Sequence, residues 1–269
     1  MKETQTNQTV IVTGAATGIG YAVAARFLEQ GASVVLNGRT RAKLDGAAKQ
    51  LGQPERLSIF VGDITQAAIA EEIVAHAVKR FGKIDVLVNN AGIFHTKPFT
   101  DYSTEELDRF LGYLRGTFII SQAAVRQMRN QGHGGAIVNI STILTLNGIA
   151  AFPSSAPIAA KGGITALTKN LSIELAVDDI RINAVAPGVV PTPLYGELTD
   201  QQLDALHGAQ PLGRYGTPKD IADAVFYLAN AKWVTGVILP VDGGVSAGGD
   251  GTSRRLPVTP KSRSASRAA

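Results

Sequence analysis

The chain has 269 residues, 45% hydrophobic and 18% charged, which suits one sizeable core in a single domain. It has no cysteine, which excludes disulfides and thiolate metal sites, and His76, His95, His133 and His207 lack metal-ligand spacing. The net charge of +4 is carried by Arg254, Arg255, Lys261, Arg263 and Arg267 in a Ser/Pro-rich end without acids, so no basic body for nucleic acid is expected.

Apolar strand-like runs alternate with helix-like runs along the chain. Residues 9–13 read as a strand ending in a glycine turn, and residues 18–30 as a helix with Ile19, Val23, Phe27 and Leu28 on one face. Strands follow at 33–37, 57–61 and 84–88, separated by helices at 41–51 and 67–81. After a loop at 92–103, residues 105–130 form one or two helices. A strand at 136–140, a helix at 158–176, a strand at 181–185, a helix at 219–230 and a strand at 236–241 complete the series. Strands this apolar are buried on both faces, which requires a parallel sheet with helices on each side. The fold class is therefore α/β: a doubly wound, mostly parallel sheet in one Rossmann-type domain, with its ligand cleft beyond the carboxyl ends of the strands. The expected organisation is a disordered N-terminus at 1–7, the domain at 8–249 and a basic disordered tail at 250–269. No apolar leader or membrane-length run occurs, so a cytoplasmic protein without a membrane partner is expected.

The first strand runs into Thr13-Gly14-Ala15-Ala16-Thr17-Gly18-Ile19-Gly20. Glycines at a strand-to-helix turn let the backbone approach a pyrophosphate, while the helix start offers unpaired N–H groups and its positive dipole end. The second strand ends in Asn37-Gly38-Arg39-Thr40-Arg41, with no acid for a ribose 2′-OH and two guanidinium groups suited to a 2′-phosphate. This favours NADP over NAD.

The G-x3-G-x-G spacing resembles the short-chain dehydrogenase/reductase family. So do Gly62-Asp63-Ile64 after the third strand and Asn89-Asn90-Ala91-Gly92 after the fourth. Ala186-Pro187-Gly188-Val189-Val190 with Thr192 matches the family's nicotinamide-side loop, and Val241-Asp242-Gly243-Gly244 its closing strand. The resemblance spans about residues 8 to 247 in unbroken order. It implies a carbonyl–alcohol oxidoreductase in which Gly14, Thr17, Gly18, Ile19, Gly20, Arg39, Asp63, Ile64, Asn90, Gly92, Lys161, Pro187, Gly188, Val190 and Thr192 bind the cofactor.

In that family a tyrosine four residues before a lysine passes the proton, a serine holds the substrate oxygen and an asparagine supports a water relay. Here the lysine is Lys161, and four residues earlier stands Pro157. Thr142 falls at the serine position with Ser141 just before it, and the stretch from Thr142 to Pro157 is about two residues longer than usual. Tyr113 falls at the asparagine position. Proline is tolerated in a first helical turn, with Ser154 and Ser155 as candidate N-caps, so the fold survives while the phenol is lost. Losing a positioned acid typically costs about 10²–10⁴-fold. The catalytic candidates are Lys161, Thr142, Ser141 and Tyr113, the last either a substitute phenol or a packed aromatic filling space; Ser154, Ser155 and His95 are weaker donors. A cofactor-holding pseudoenzyme with a sensing or partner-binding role is the alternative. Leu194, Tyr195, Leu198, Leu203, Leu206 and Tyr215 suggest an apolar-walled pocket for a small carbonyl or alcohol under a lid. The resemblance also implies a homotetramer or dimer built through the helices at 105–130 and 155–176.

Overall fold

In the computed structural model, residues 7–52, 54–148, 153–193 and 210–247 are described. The basic tail and the lid positions Leu194, Tyr195, Leu198, Leu203 and Leu206 lie outside the described residues. Seven strands form one sheet: β1 (Thr9–Val12), β2 (Ser33–Gly38), β3 (Leu57–Val61), β4 (Val86–Asn89), β5 (Gly135–Ile140), β6 (Ile180–Pro187) and β7 (Ile238–Val241). Their order is β3-β2-β1-β4-β5-β6-β7, and every pairing is parallel.

Strand alternation feeds two cores. Val10, Val12, Val34, Leu36, Val86 and Val88 face one side, where α1 (Gly18–Glu29), α2 (Arg41–Leu51) and α6 (Pro218–Asn230) pack. Ile11, Val35, Leu87 and Ile137 face the other, beneath α3 (Ala67–Phe81), α4 (Thr104–Gln131) and α5 (Ser155–Glu174). Ile11, Leu87 and Ile137 are fully buried, each stabilising the fold by roughly 1.5–3 kcal/mol relative to exposure.

The element bounds shift from expectation for local reasons. The β4 ladder starts at Val86 because the Ile84 amide donates to Gln131 Oε1 (2.8 Å) and its carbonyl accepts from Gln131 Nε2 (2.9 Å). Likewise β7 starts at Ile238, since the Val237 amide donates to Asn183 Oδ1 at 3.1 Å. The one-or-two-helix region is a single helix of 28 residues, opened by a Ser103–Glu106 capping box and closed by Gly132 at φ 71°. Gly116 lets α4 pass close to the Ile64 backbone, where a Cβ would meet the carbonyl oxygen at 2.5 Å. Helix α5 starts at Ser155, earlier than expected, which puts Pro157 inside the first turn, where an N–H would have no helical partner anyway.

A chain of buried polar side chains runs between the strand ends and the helices above them. Asn89 Nδ2 donates to Ser121 Oγ on α4 (2.9 Å) and to Asn139 Oδ1 on β5 (2.8 Å). Asn139 Nδ2 donates to Thr168 Oγ1 on α5 (2.9 Å), which donates on to the Ile164 carbonyl (2.8 Å). Such bonds specify register, because a partner lost in the dry interior leaves an unsatisfied group. Asn139→Ala is expected to lower stability by about 2–3 kcal/mol in chemical denaturation. A midpoint within error of the native chain's would mean the network is incidental.

Candidate functional site

Strand β1 pairs with β2 on one side and β4 on the other, so the direction of chain winding reverses between β1 and β4. That switch point opens a crevice at the carboxyl ends of the strands. Two lobes share Ile19, Asn90, Gly92 and Thr192 as common walls and form one continuous cleft.

The first lobe is built around the glycine turn. Gly14 and Gly18 adopt φ of 64° and 58°, a region that disfavours side chains. A Cβ on Gly14 would stand 2.9 Å from Ala91 Cα, and one on Gly20 would collide with the Gly14 carbonyl. Thr13 Oγ1 accepts from the Asn90 and Ala91 amides, both at 3.0 Å. Asn90 Nδ2 donates to the carbonyls of Thr13 (2.9 Å) and Gly14 (3.1 Å), so this side chain holds the turn in shape while lining the cleft. Thr17 precedes α1 without a side-chain cap bond, and no acid occupies the first turn. The helix start therefore keeps both N–H donors and dipole for an anion.

At the far end of this lobe, Gly38, Arg39, Thr40 and Lys43 line the wall opposite Asp63 and Ile64. Of the two arginines at the end of β2, only Arg39 faces the cleft. The Arg41 guanidinium is committed to Asp45, with Nε 2.9 Å from Oδ1. Lys43 supplies the second cation, which sequence reasoning missed. The signal was available: Thr40 and Lys43 are three apart at a helix start and share a face, whereas Arg41 does not. One Asp63 oxygen accepts from the Thr65 amide (3.0 Å) and hydroxyl (2.9 Å). Tyr113 also belongs to this lobe. It sits beside Arg39 and Asp63, and burial is the main influence pushing its phenol up from the usual value, with Arg39 acting in the opposite direction.

The second lobe is apolar, walled by Ile93, Phe94, Ile143, Leu144, Val189 and Val190. Lys161, Ser141, Thr142, Pro187 and Gly188 line it as well. Tyr113 lines the first lobe together with the shared walls Asn90 and Gly92, while Lys161, Ser141 and Thr142 line the second. Lys161 Nζ donates to the Ile140 carbonyl at 2.6 Å, and a Cβ on Gly92 would lie 3.5 Å from Nζ. Burial pushes this ammonium down from 10.5 to about 8. Ser141 Oγ is 2.9 Å from Thr165 Oγ1, and Thr142 Oγ1 accepts from the Leu144 amide at 3.3 Å. Pro157 is buried on α5, one turn before Lys161. Ser154 stands at the N-cap of α5 without a side-chain cap bond. His95 packs against Phe110 (centroids 4.9 Å) and Tyr102 (5.7 Å), with Nε2 3.3 Å from Glu106 Oε1. Among the described residues no cluster of metal-ligating side chains occurs, and no helix is long and apolar enough to cross a membrane.

Residues 14–246 match the model of a family described as enoyl-(acyl carrier protein) reductase. A 3alpha-hydroxysteroid dehydrogenase from Mediterraneibacter gnavus is 39% identical over 244 residues, covering 88% of this chain and 96% of that protein. The chain belongs to the short-chain dehydrogenase/reductase family. Other short-chain dehydrogenase/reductase relatives include an NADP-dependent (R)-specific alcohol dehydrogenase from Lentilactobacillus kefiri, 34% identical over 244 residues, with 88% and 96% of the two chains covered. Among solved structures, the 3-ketoacyl-(acyl-carrier-protein) reductase from Brucella melitensis complexed with NADH superposes with a TM-score of 0.82 at 32% identity, covering 89% of this chain and 98% of that one. The relatives of this short-chain dehydrogenase/reductase are thus oxidoreductases, and one neighbour carries a nicotinamide nucleotide.

The Lys161 environment has a consequence for stability against pH. Below pH 8 both folded and unfolded chains hold the proton, and the folded chain carries the full cost of the buried charge. Between pH 8 and 10.5 the unfolded chain binds more protons, so stability gains from this group as pH rises. Relative to Lys161→Met, the native chain should therefore become more stable across this window in urea denaturation. A pH-independent difference would contradict the burial.

Proposed function

We propose that this chain is a nicotinamide-dependent oxidoreductase that interconverts a carbonyl and an alcohol, with a preference for NADP(H). The observation that carries this reading is the single cleft across the β1/β4 switch point. An uncapped helix start and glycine cradle lie at one end of it, and Lys161 stands in an apolar lobe at the other. The cradle suits a dinucleotide: Gly14 and Gly20 leave no room for side chains, so a pyrophosphate would rest against backbone. When bound, the nicotinamide supplies or accepts the hydride. Arg39 and Lys43 would pair with a 2′-phosphate, and Asp63 and Ile64 would flank the adenine. Lys161 would contact the nicotinamide ribose, while Gly92, Pro187, Gly188, Val190 and Thr192 would bound the nicotinamide side. Thr142 and Ser141, which line the same lobe as Lys161, would hold the substrate oxygen.

The apolar walls favour a substrate whose carbonyl is flanked by hydrocarbon. The names of the relatives, dehydrogenases and reductases acting on a hydroxysteroid and on alcohols, support turnover over a cofactor-holding role without chemistry. A homo-oligomer through α4 and α5 is part of the same reading, supported by the exposure of Phe118 (49%) and Ile173 (79%) on those helices. Pro157 stands where the family resemblance expects tyrosine, so the proton must come from a different group.

The test is NADPH oxidation with a panel of apolar ketones and aldehydes. Turnover well above background with at least one is expected, whereas tight NADPH binding with none across the panel would defeat the redox reading. For cofactor choice, Arg39→Ala should weaken NADPH binding about 10- to 100-fold, the worth of one or two charge-assisted bonds, while leaving NADH nearly unaffected. Equal losses for both nucleotides would mean Arg39 does not read the 2′-phosphate.

A further inference from the structure

Resting on the redox reading above, we propose that Lys161 Nζ is itself the acid that protonates the substrate oxygen during reduction, and the base that takes the proton back during oxidation. The first support is what surrounds the apolar lobe. Among the described residues lining it, Lys161 is the one titratable side chain. The β4 loop contributes Gly92, Ile93 and Phe94, the end of β5 contributes Ile140 to Leu144, and the β6 loop contributes Pro187 to Val190. No carboxylate, imidazole or phenol comes from any of them, and Tyr113 on α4 belongs to the other lobe.

The second support is how the ammonium is held. One of its three N–H donors is fixed on the Ile140 carbonyl at 2.6 Å. The other two have no protein partner among the described residues, and the group shares its lobe with Thr142 and Ser141. The flank at Gly92 is bare backbone. The hydroxyls are poor substitutes as acids. Ser141 is tied to Thr165 at 2.9 Å and lies 3.4 Å from Thr145, and an alcohol gives up a proton only when a stronger base removes it. Pro157, one turn earlier on the same helix face, can neither compete for the substrate oxygen nor relay a proton to it. The lowered pKa of the buried ammonium, about 8, brings it into the range useful to a general acid at neutral pH.

In the reduction, hydride from the reduced nicotinamide forms the new C–H bond and the C=O π pair moves to oxygen. Oxygen takes a proton from Lys161, leaving a neutral amine and the oxidised nicotinamide. The amine then recovers a proton from water. In the oxidation the same amine removes the hydroxyl proton as hydride leaves carbon.

Because the chain has no cysteine, Lys161→Cys would carry a single thiol. Alkylation with 2-bromoethylamine would restore an amine of nearly the same length, more acidic than lysine because of the neighbouring sulfur. Lys161→Arg keeps the cation but cannot release a proton at neutral pH. The expected result is that ketone reduction by the alkylated variant recovers, with the alkaline limb of its kcat profile moved to lower pH. Lys161→Arg should lose about 10²–10⁴-fold in kcat while NADPH affinity, read by fluorescence titration, stays within a few-fold. An alkaline limb that coincides with the native one overturns the proposal. So does an arginine variant that keeps its kcat, or one whose loss is accounted for by weaker NADPH binding. A native chain that oxidises no NADPH overturns the redox reading and this proposal with it; native turnover with an unmoved limb overturns this proposal alone.

Discussion

The site depends first on the contact between the turn after β1 and the segment after β4. A methyl group on Gly14 would stand 2.9 Å from Ala91 Cα across the switch point, and one on Gly20 would strike the Gly14 carbonyl and the Asn90 side-chain amide nitrogen. Thr13 and Asn90 bind the two segments with hydrogen bonds that run in both directions, side chain to backbone each time. A floor made this way has two properties. It is cross-tied, because four hydrogen bonds join the two segments, and it is smooth, because Gly14, Gly18 and Gly92 line it. Everything else follows from where that floor lies: the cations of β2 and α2 at one end, and the apolar lobe with Lys161 at the other.

Much of this is legible in the sequence because it is written in local chemistry. Apolar, β-branched runs such as Val10 to Val12 and Val34 to Leu36, bounded by turn residues, read as doubly covered strands, and the glycine turn points to an anion site once it follows such a run. Other features depend on partners distant in sequence. No local pattern says that Asn139 meets Asn89 on one side and Thr168 on the other, or that Gln131 takes both backbone groups of Ile84 away from the β4 ladder. Tyr113 shows the same limit. Nothing in its place in the chain says that its phenol shares a lobe with Arg39 and Asp63. Arg41 reads as a cleft cation until Asp45, one turn along, is seen to hold it.

The two ends of the cleft use charge in opposite ways. Around Arg39 and Lys43 the cations are near solvent and unpaired by acids in the first turn of α2, which suits a ligand that brings its own negative charge. Around Lys161 a cation stands in a mainly apolar lobe, with the Ile140 carbonyl as its one hydrogen-bond partner among the described residues, and burial makes its proton easier to lose. The first end holds an accessible pair of charges, the second a desolvated charge.

The Asn89–Asn139–Thr168 chain carries a consequence for how such a site changes over time. It anchors α5 to β5 from below Lys161, on residues that take no part in the cleft. The identity of the residue at position 157 is thereby uncoupled from the placement of the helix that bears it. A substitution at 157 can then alter the chemistry of the first turn of α5 while the frame stays intact.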